Sequence, residues 1–205
     1  MPQSLQALLA TRYSANHFDP QHMLTEQEVQ DLIALATRAP SAFNQQNWRF
    51  VAVVSAQGKQ QLLSLSFGQQ KVVDAAVTFI VCGTQDGYRE LSRTLQASVD
   101  QGVLPLPTAA GWVEMAGSHY RATPQACRDE AVRSASLAAM ALMLAAQEQG
   151  LASCPMTGFD VAGVQQAFGL GEHALPVMLL PVGRAAAGNW PQKPRKPVAE
   201  VLQFA

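Results

Sequence analysis

The stretch from residue 124 to 149 constrains the fold of this chain more than any other. Leu137, Met140, Ala141, Leu144 and Ala145 recur at helical spacing, and Gly150 stands where a helix terminates. Small residues crowd it: Ala135, Ser136, Ala138, Ala139 and Ala141. A helix lined in this way lets a second helix approach closely. Its longest uncharged apolar run, 137–146, falls far short of the ~20 residues that span a bilayer. It is therefore expected as a buried helix of a folded core, with no membrane partner.

Around that helix the periodicities are short and alternate in kind. A short helix is expected over 5–11. Thr25 and Glu28 form a capping box for a helix through Thr37, with Val29, Leu32, Ile33 and Ala36 on one face, and Pro40 ends it. Apolar, β-branched runs at 50–54, 77–82 and 176–182 read as buried strands. Helices are expected over 58–66 and 85–101, and a short one capped by Asp160 ends before Gly169. Residues 102–123 hold Gly, Pro, Trp and His without periodicity and read as a loop or lid. From Ala185 on, prolines flank the basic residues, so the tail is expected to run extended before a last turn at 198–202. Few strands separated by helices predict an α+β fold, a three-layer α/β/α sandwich around a mixed central sheet, with 1–205 as one domain.

Composition narrows the function. The 205 residues carry 48% apolar but only 14% charged residues, against roughly 25% charged in ordinary soluble domains. An oligomer that buries an apolar face against its own copy resolves that imbalance. A net charge of −1 argues against nucleic-acid binding. Residues 1–14 lack a basic stretch followed by an apolar core, so a cytoplasmic protein without a leader is expected. Cys82, Cys127 and Cys154 form no CxxC pair and read as buried free thiols. His17, His22, His119 and His173 show no ligand spacing, so no metal is expected. Gly169-Leu-Gly171-Glu-His-Ala174 matches GxGxxA, but it follows a helix and precedes a strand. The dinucleotide mechanism needs the reverse order, so this reads as a helix-stop turn.

What remains is polar and lies on loops. In order these are Arg12-Tyr13-Ser14-Ala15-Asn16, the run from Pro40, Ser41, Ala42 and Asn44 to Trp48, Gln69 and Lys71 before Asp74, the turn at Thr157-Gly158-Phe159, and the tail cations Lys193 and Arg195. Each taken alone is an ordinary surface loop. Their order and spacing together resemble the nitroreductase family of FMN flavoproteins: Arg-x-Ser near the start, Pro-Ser-x-x-Asn with a Trp following, a Gln/Lys segment before a strand, a Gly-Phe turn after the long helix, and a Lys/Arg pair near the end. Asn47 stands where proline is usual, Asn16 where Arg or Lys is common, and Thr157 where some members have Glu. These departures bear on the nicotinamide and the acceptor rather than on FMN.

The resemblance implies an FMN-dependent oxidoreductase that takes electrons from NADH or NADPH and passes them to a small-molecule acceptor, a nitroaromatic or a quinone, by a ping-pong mechanism. It implies a homodimer with the flavin at the interface and a domain-swapped tail. Arg12, Ser14, Lys193 and Arg195 would meet the phosphate, and Tyr13 and Asn16 would belong to the same loop. Lys71 would stand beside N1 and O2, Gln69 and Asn44 would bond the pyrimidine edge, and the Thr157–Gly158 backbone would lie at N5. Ser41 and Ala42 would pack near the ring, and Pro40 would belong to the same cofactor-binding loop. The flavin carries the redox chemistry, so no catalytic acid, base or nucleophile is expected. The alternatives on the same fold are a non-catalytic flavin sensor and a flavin-consuming or dehalogenating relative.

Overall fold

The computed structural model describes residues 4–205; the first three residues of the segment read for a leader lie outside it. In chain order the elements are α1 (Leu5–Thr11), α2 (Glu26–Ala36), β1 (Trp48–Val53), α3 (Ala56–Leu65), α4 (Lys71–Asp74), β2 (Val77–Thr84), α5 (Leu91–Asp100), α6 (Leu106–Ala122), α7 (Pro124–Glu148), β3 (Ala152–Ser153), α8 (Val161–Ala167), β4 (Ala174–Gly183) and α9 (Val198–Val201). The capping box is present, with Thr25 accepting from the Glu28 N–H and Glu28 accepting from the Thr25 N–H.

The four strands form one sheet in the order β1-β2-β4-β3. Its alternation builds the three layers, because successive strand residues face opposite sides. Val77, Phe79 and Val81 of β2 and Leu180 and Val182 of β4 pack beneath α2 and α7. Ile80, Cys82 and Leu179 point the other way, toward Leu62 of α3, Val72 of α4 and Val164 of α8. A third cluster joins α5 and α6 through Leu91, Leu95, Ala109, Ala116 and Tyr120. The small residues of α7 serve a close approach to the sheet as well as to α2. A Cβ added at Gly83 would overlap the Ala131 carbonyl, so α7 lies directly on the β2 backbone there.

Several expectations are corrected. The sheet is not mixed: among the described residues all three strand pairings are antiparallel, and parallel pairing is confined to a single bridge, Ser14 to Ser153. Residues 102–123 are not a loop, since α6 fills most of that segment. The helix expected over 85–101 divides into a 3-10 turn at Gly87–Glu90 and α5. Cys82 and Cys154 are buried, but Cys127 is only half-buried. The GxGxxA segment is the helix-stop turn expected: α8 ends before it, β4 begins at its last residue, and Gly169 and Gly171 take positive φ.

Candidate active site

The chain that leaves α1 passes along the β3 edge of the sheet. Ser14 bridges Ser153, and Ala15 donates its N–H to the Ser153 carbonyl at 3.0 Å. This fixes Arg12, Tyr13, Ser14 and Asn16 at one corner of the sheet. The tail returns to the same corner. Asn189 Oδ1 accepts from the N–H of Asn16 at 2.6 Å and of His17 at 3.0 Å. Gln192 Nε2 donates to the carbonyls of Leu9 and Arg12. The Lys193 ammonium stands over the Trp190 ring, 5.2 Å from its centroid, and Arg195 donates to the Lys193 carbonyl. Arg12, Tyr13, Ser14, Lys193 and Arg195 thereby line one pocket of about 160 Å³. Arg12 Nη1 is buried there without a hydrogen-bond partner. A buried guanidinium nitrogen left unpaired is costly unless an anion completes it.

Lys71 opens α4 at this corner. Its Nζ donates to Asn16 Oδ1 at 2.8 Å and lies 3.6 Å from Cys154 Sγ. Gln69 donates from Nε2 to the Gly158 carbonyl at 2.8 Å, tying the α4 approach to the Thr157–Gly158 turn. The N–H groups of Thr157 and Gly158 find no acceptor among the described residues. Ten of the fourteen residues singled out in the sequence thus gather at one corner: Arg12, Tyr13, Ser14, Asn16, Gln69, Lys71, Thr157, Gly158, Lys193 and Arg195.

The other four, Pro40, Ser41, Ala42 and Asn44, lie elsewhere. Their loop enters β1 at Trp48, which pairs with Gly83 at the far end of β2, and the Asn47 carbonyl accepts from the Thr84 N–H. Ser14 is bridged to Ser153, which pairs with Val182 opposite Val77. The two groups therefore occupy diagonal corners, with Ser14 four strand spacings and six residues from Trp48, roughly 28 Å at usual sheet dimensions. The loop is strained. Phe43, Asn44 and Gln46 all take positive φ, between 50° and 56°, a region that disfavours L-residues. It is held by Ser41 Oγ accepting from the Gln46 N–H at 2.9 Å and by Phe43 packed edge-on to Trp112 of α6. Beneath it lies Glu130, 3% exposed, which accepts from the Ala42 N–H, from Ser134 Oγ and from Arg133. Burial, with the Glu130 charge adding to it, raises the Tyr120 phenol above its ordinary value.

Glu130, Asn189 and Gln192 were not singled out in the sequence. Glu130 had a signal, since Glu130, Ser134 and Ala138 share one stripe of α7 and a carboxylate on a buried stripe needs donors. The two tail amides had none. Among the described residues no helix is long and apolar enough to cross a membrane, and no His/Cys/Asp/Glu group could hold a metal.

A family model described as the nitroreductase family matches residues 9–184. MhqN of Bacillus subtilis (strain 168), which carries the name of an NAD(P)H nitroreductase, is 32% identical over 199 residues, with 96% of this chain and 97% of MhqN covered. An enone reductase of CLA biosynthesis from Lactiplantibacillus plantarum is 29% identical over 198 residues, covering 87% of this chain and 84% of that protein. A solved structure from Exiguobacterium sibiricum 255-15, determined in complex with FMN, superposes with a TM-score of 0.92 at 26% identity, covering 100% of both chains.

Proposed function

Since the chain belongs to the nitroreductase family, we propose that it is an FMN-dependent oxidoreductase that draws electrons from NADH or NADPH and delivers them to a small-molecule acceptor, a nitroaromatic, quinone or enone, by a ping-pong mechanism. The observation that carries this reading is the unpaired, buried Arg12 Nη1 in a pocket shared with Ser14, Lys193 and Arg195. That donor set suits a phosphate dianion, which accepts several charge-assisted hydrogen bonds.

When bound, FMN supplies the two-electron chemistry that no side chain here provides. Arg12, Ser14, Lys193 and Arg195 hold the phosphate. Lys71 has three N–H donors, of which Asn16 and Cys154 engage two. The third is free for the N1–O2 edge of the ring, where a fixed cation stabilises the charge that reduction brings. Gln69 anchors the Thr157–Gly158 turn through its amide nitrogen and keeps its carbonyl oxygen for the ring. The N–H groups of Thr157 and Gly158, which find no acceptor among the described residues, are the donors this turn can offer the ring.

The working unit is a homodimer in the cytoplasm, each protomer a single domain of residues 1–205. Diagonal corners of one protomer lie too far apart to grip one mononucleotide. Pro40, Ser41, Ala42 and Asn44 therefore serve the flavin held by the other copy. Gln192 fixes the tail to its own protomer as far as Arg195. Beyond it Val198, Val201, Leu202 and Phe204 are exposed, an apolar strip suited to cover the second copy.

The test is direct. The purified protein should be yellow, release FMN on denaturation, and oxidise NADH or NADPH in the presence of a quinone or nitroaromatic. Bound FMN without turnover would assign it to the sensor class. A colourless protein that takes up no FMN removes the reading altogether.

A further inference from the structure

Lys71 is the cation expected beside the ring, yet a lysine is a poor fixed charge. Four methylenes give it about 2 kcal/mol of rotamer entropy and an ammonium that favours water. A cation that stabilises a developing charge must be in place beforehand. Here the Lys71 ammonium is held by the amide oxygen of Asn16 at 2.8 Å, with Cys154 Sγ on another side at 3.6 Å. Asn16 is itself fixed. Its N–H donates to Asn189 Oδ1 at 2.6 Å, and the Asn189 amide nitrogen donates to the carbonyls of His17 and Ala186. The neighbouring Ala15 is fully buried and bonded to Ser153. The acceptor that orients Lys71 thus stands on backbone locked between β3 and the tail. It is also neutral, so it orients the ammonium without cancelling its charge, as a carboxylate would.

We propose that Asn16 is a positioning residue that sets the reduction potential of the bound flavin by holding the Lys71 ammonium toward the ring. It rests on the reading that Lys71 faces the flavin. Asn16 contributes no charge of its own. It converts a mobile surface-type lysine into a preorganised cation, and its effect on the flavin passes through Lys71.

The experiment is a redox titration of the FMN-loaded protein and of Asn16→Leu, Lys71→Met and the double variant, with FMN dissociation constants measured in parallel by fluorescence quenching. Asn16→Leu should shift the two-electron equilibrium about tenfold toward the oxidised form, a fall of about 30 mV, with FMN affinity changed less than threefold. Lys71→Met should lower the potential at least as far. In the Lys71→Met background, Asn16→Leu should add nothing. Asn16→Asp, which preserves shape and therefore folding, should also lower the potential, because a carboxylate pairs with the ammonium. A potential unmoved by Asn16→Leu and Asn16→Asp, when Lys71→Met does lower it, overturns the inference and leaves the functional reading standing. A full Asn16→Leu shift persisting in the Lys71→Met background also overturns it, since Asn16 would then act on the ring directly. A potential unmoved by Lys71→Met overturns the inference together with the placement of Lys71.

Discussion

The corner around Arg12 and Lys71 is stapled by amide side chains of its own protomer, whereas the loop at residues 41–46 takes a left-handed backbone above a buried carboxylate. At the first corner Asn189 and Gln192 draw the tail onto the chain leaving α1, and the cations are left with unused donors. At the second, Glu130 takes up the Ala42 N–H, and Phe43, Asn44 and Gln46 bear positive φ. One corner gathers charge and keeps it unpaired; the other presents backbone and amides in a fixed shape. On the proposed function each is half of a flavin site, the phosphate and reducible edge falling to one corner and the rest of the ring to the other. On that reading a protomer that carries both halves at opposite corners completes neither alone.

The largest expected effect breaks that division directly. Arg12→Ala should weaken FMN binding by one charge-assisted bond, about 1.5–3 kcal/mol or roughly 10- to 100-fold. Asn44→Ala should impair the other corner. If one site draws on two protomers, a mixed dimer of the two variants contains one intact site and one doubly damaged site. If each site lies within a protomer, the mixed dimer contains two singly damaged sites. Counting tightly bound FMN in the isolated mixed dimer separates the cases: one per dimer is expected, and none would return both corners to the same protomer.

The next effect concerns the sheet between the corners. Gly83 pairs with Trp48, at the mouth of the strained loop, and faces the α7 backbone at Ala131. A methyl group there overlaps backbone rather than a yielding side chain, so Gly83→Ala should cost about 3 kcal/mol of stability. Thermal unfolding of the apoprotein measures it. An unchanged midpoint would mean that α7 can lift from β2 at no cost, and that the corners are less rigidly related than the structure places them.

How far these corners were legible in the sequence differs between them. Thr25 and Glu28 announced α2, and Gly150 the end of α7, because capping chemistry is local. The polar clusters were legible by order and spacing, but their division into two corners was not. Which strand edge a loop meets depends on sheet order, and neither that order nor strand direction is written in any one strand; hence the expectation of a mixed sheet. Residues 102–123 failed for another reason. Gly111, Gly117 and Trp112 blur the stripe of α6, which is held by tertiary contacts of Ala109, Ala116 and Tyr120 with α5. Pro105 and Pro107 at its start are a helix-start signal that was available.

Glu130→Gln should produce a smaller change, confined to the loop corner. The amide can still bond Ser134, but it weakens the contacts to Ala42 and Arg133, which lose their charge assistance. The loss should be about 1 kcal/mol. Limited proteolysis should cut the loop at 41–46 faster, while the pocket at Arg12 keeps its FMN phosphate affinity. Equal losses at both corners would show that Glu130 supports the whole fold rather than its loop.

The smallest effect uses the cysteines, one near each corner and one in the sheet between them. Cys154 is buried beside Lys71, Cys127 is half-buried near Tyr120, and Cys82 lies on β2 at 0% exposure. Burial pushes the Cys82 thiol up to about 11 and also raises that of Cys127. The thiolate is the reactive form, so at neutral pH a thiol reagent should label Cys127 first, slowly for a free cysteine, and leave Cys82 untouched in the folded protein. FMN should slow labelling of Cys154, which stands beside Lys71 at the cation corner. The sign of the pH dependence follows from the same shift. An unfolded chain loses the Cys82 proton near pH 8.5–9, before the folded one does. The stability gained by keeping that thiol neutral is therefore intact below this range and lost as pH rises toward 11. Mass spectrometry of labelled protein at pH 7 and pH 9.5, with and without FMN, reads all three sites at once. Rapid labelling of Cys82 at pH 7 would show that the sheet opens, and labelling of Cys154 that is indifferent to FMN would count against a flavin beside Lys71.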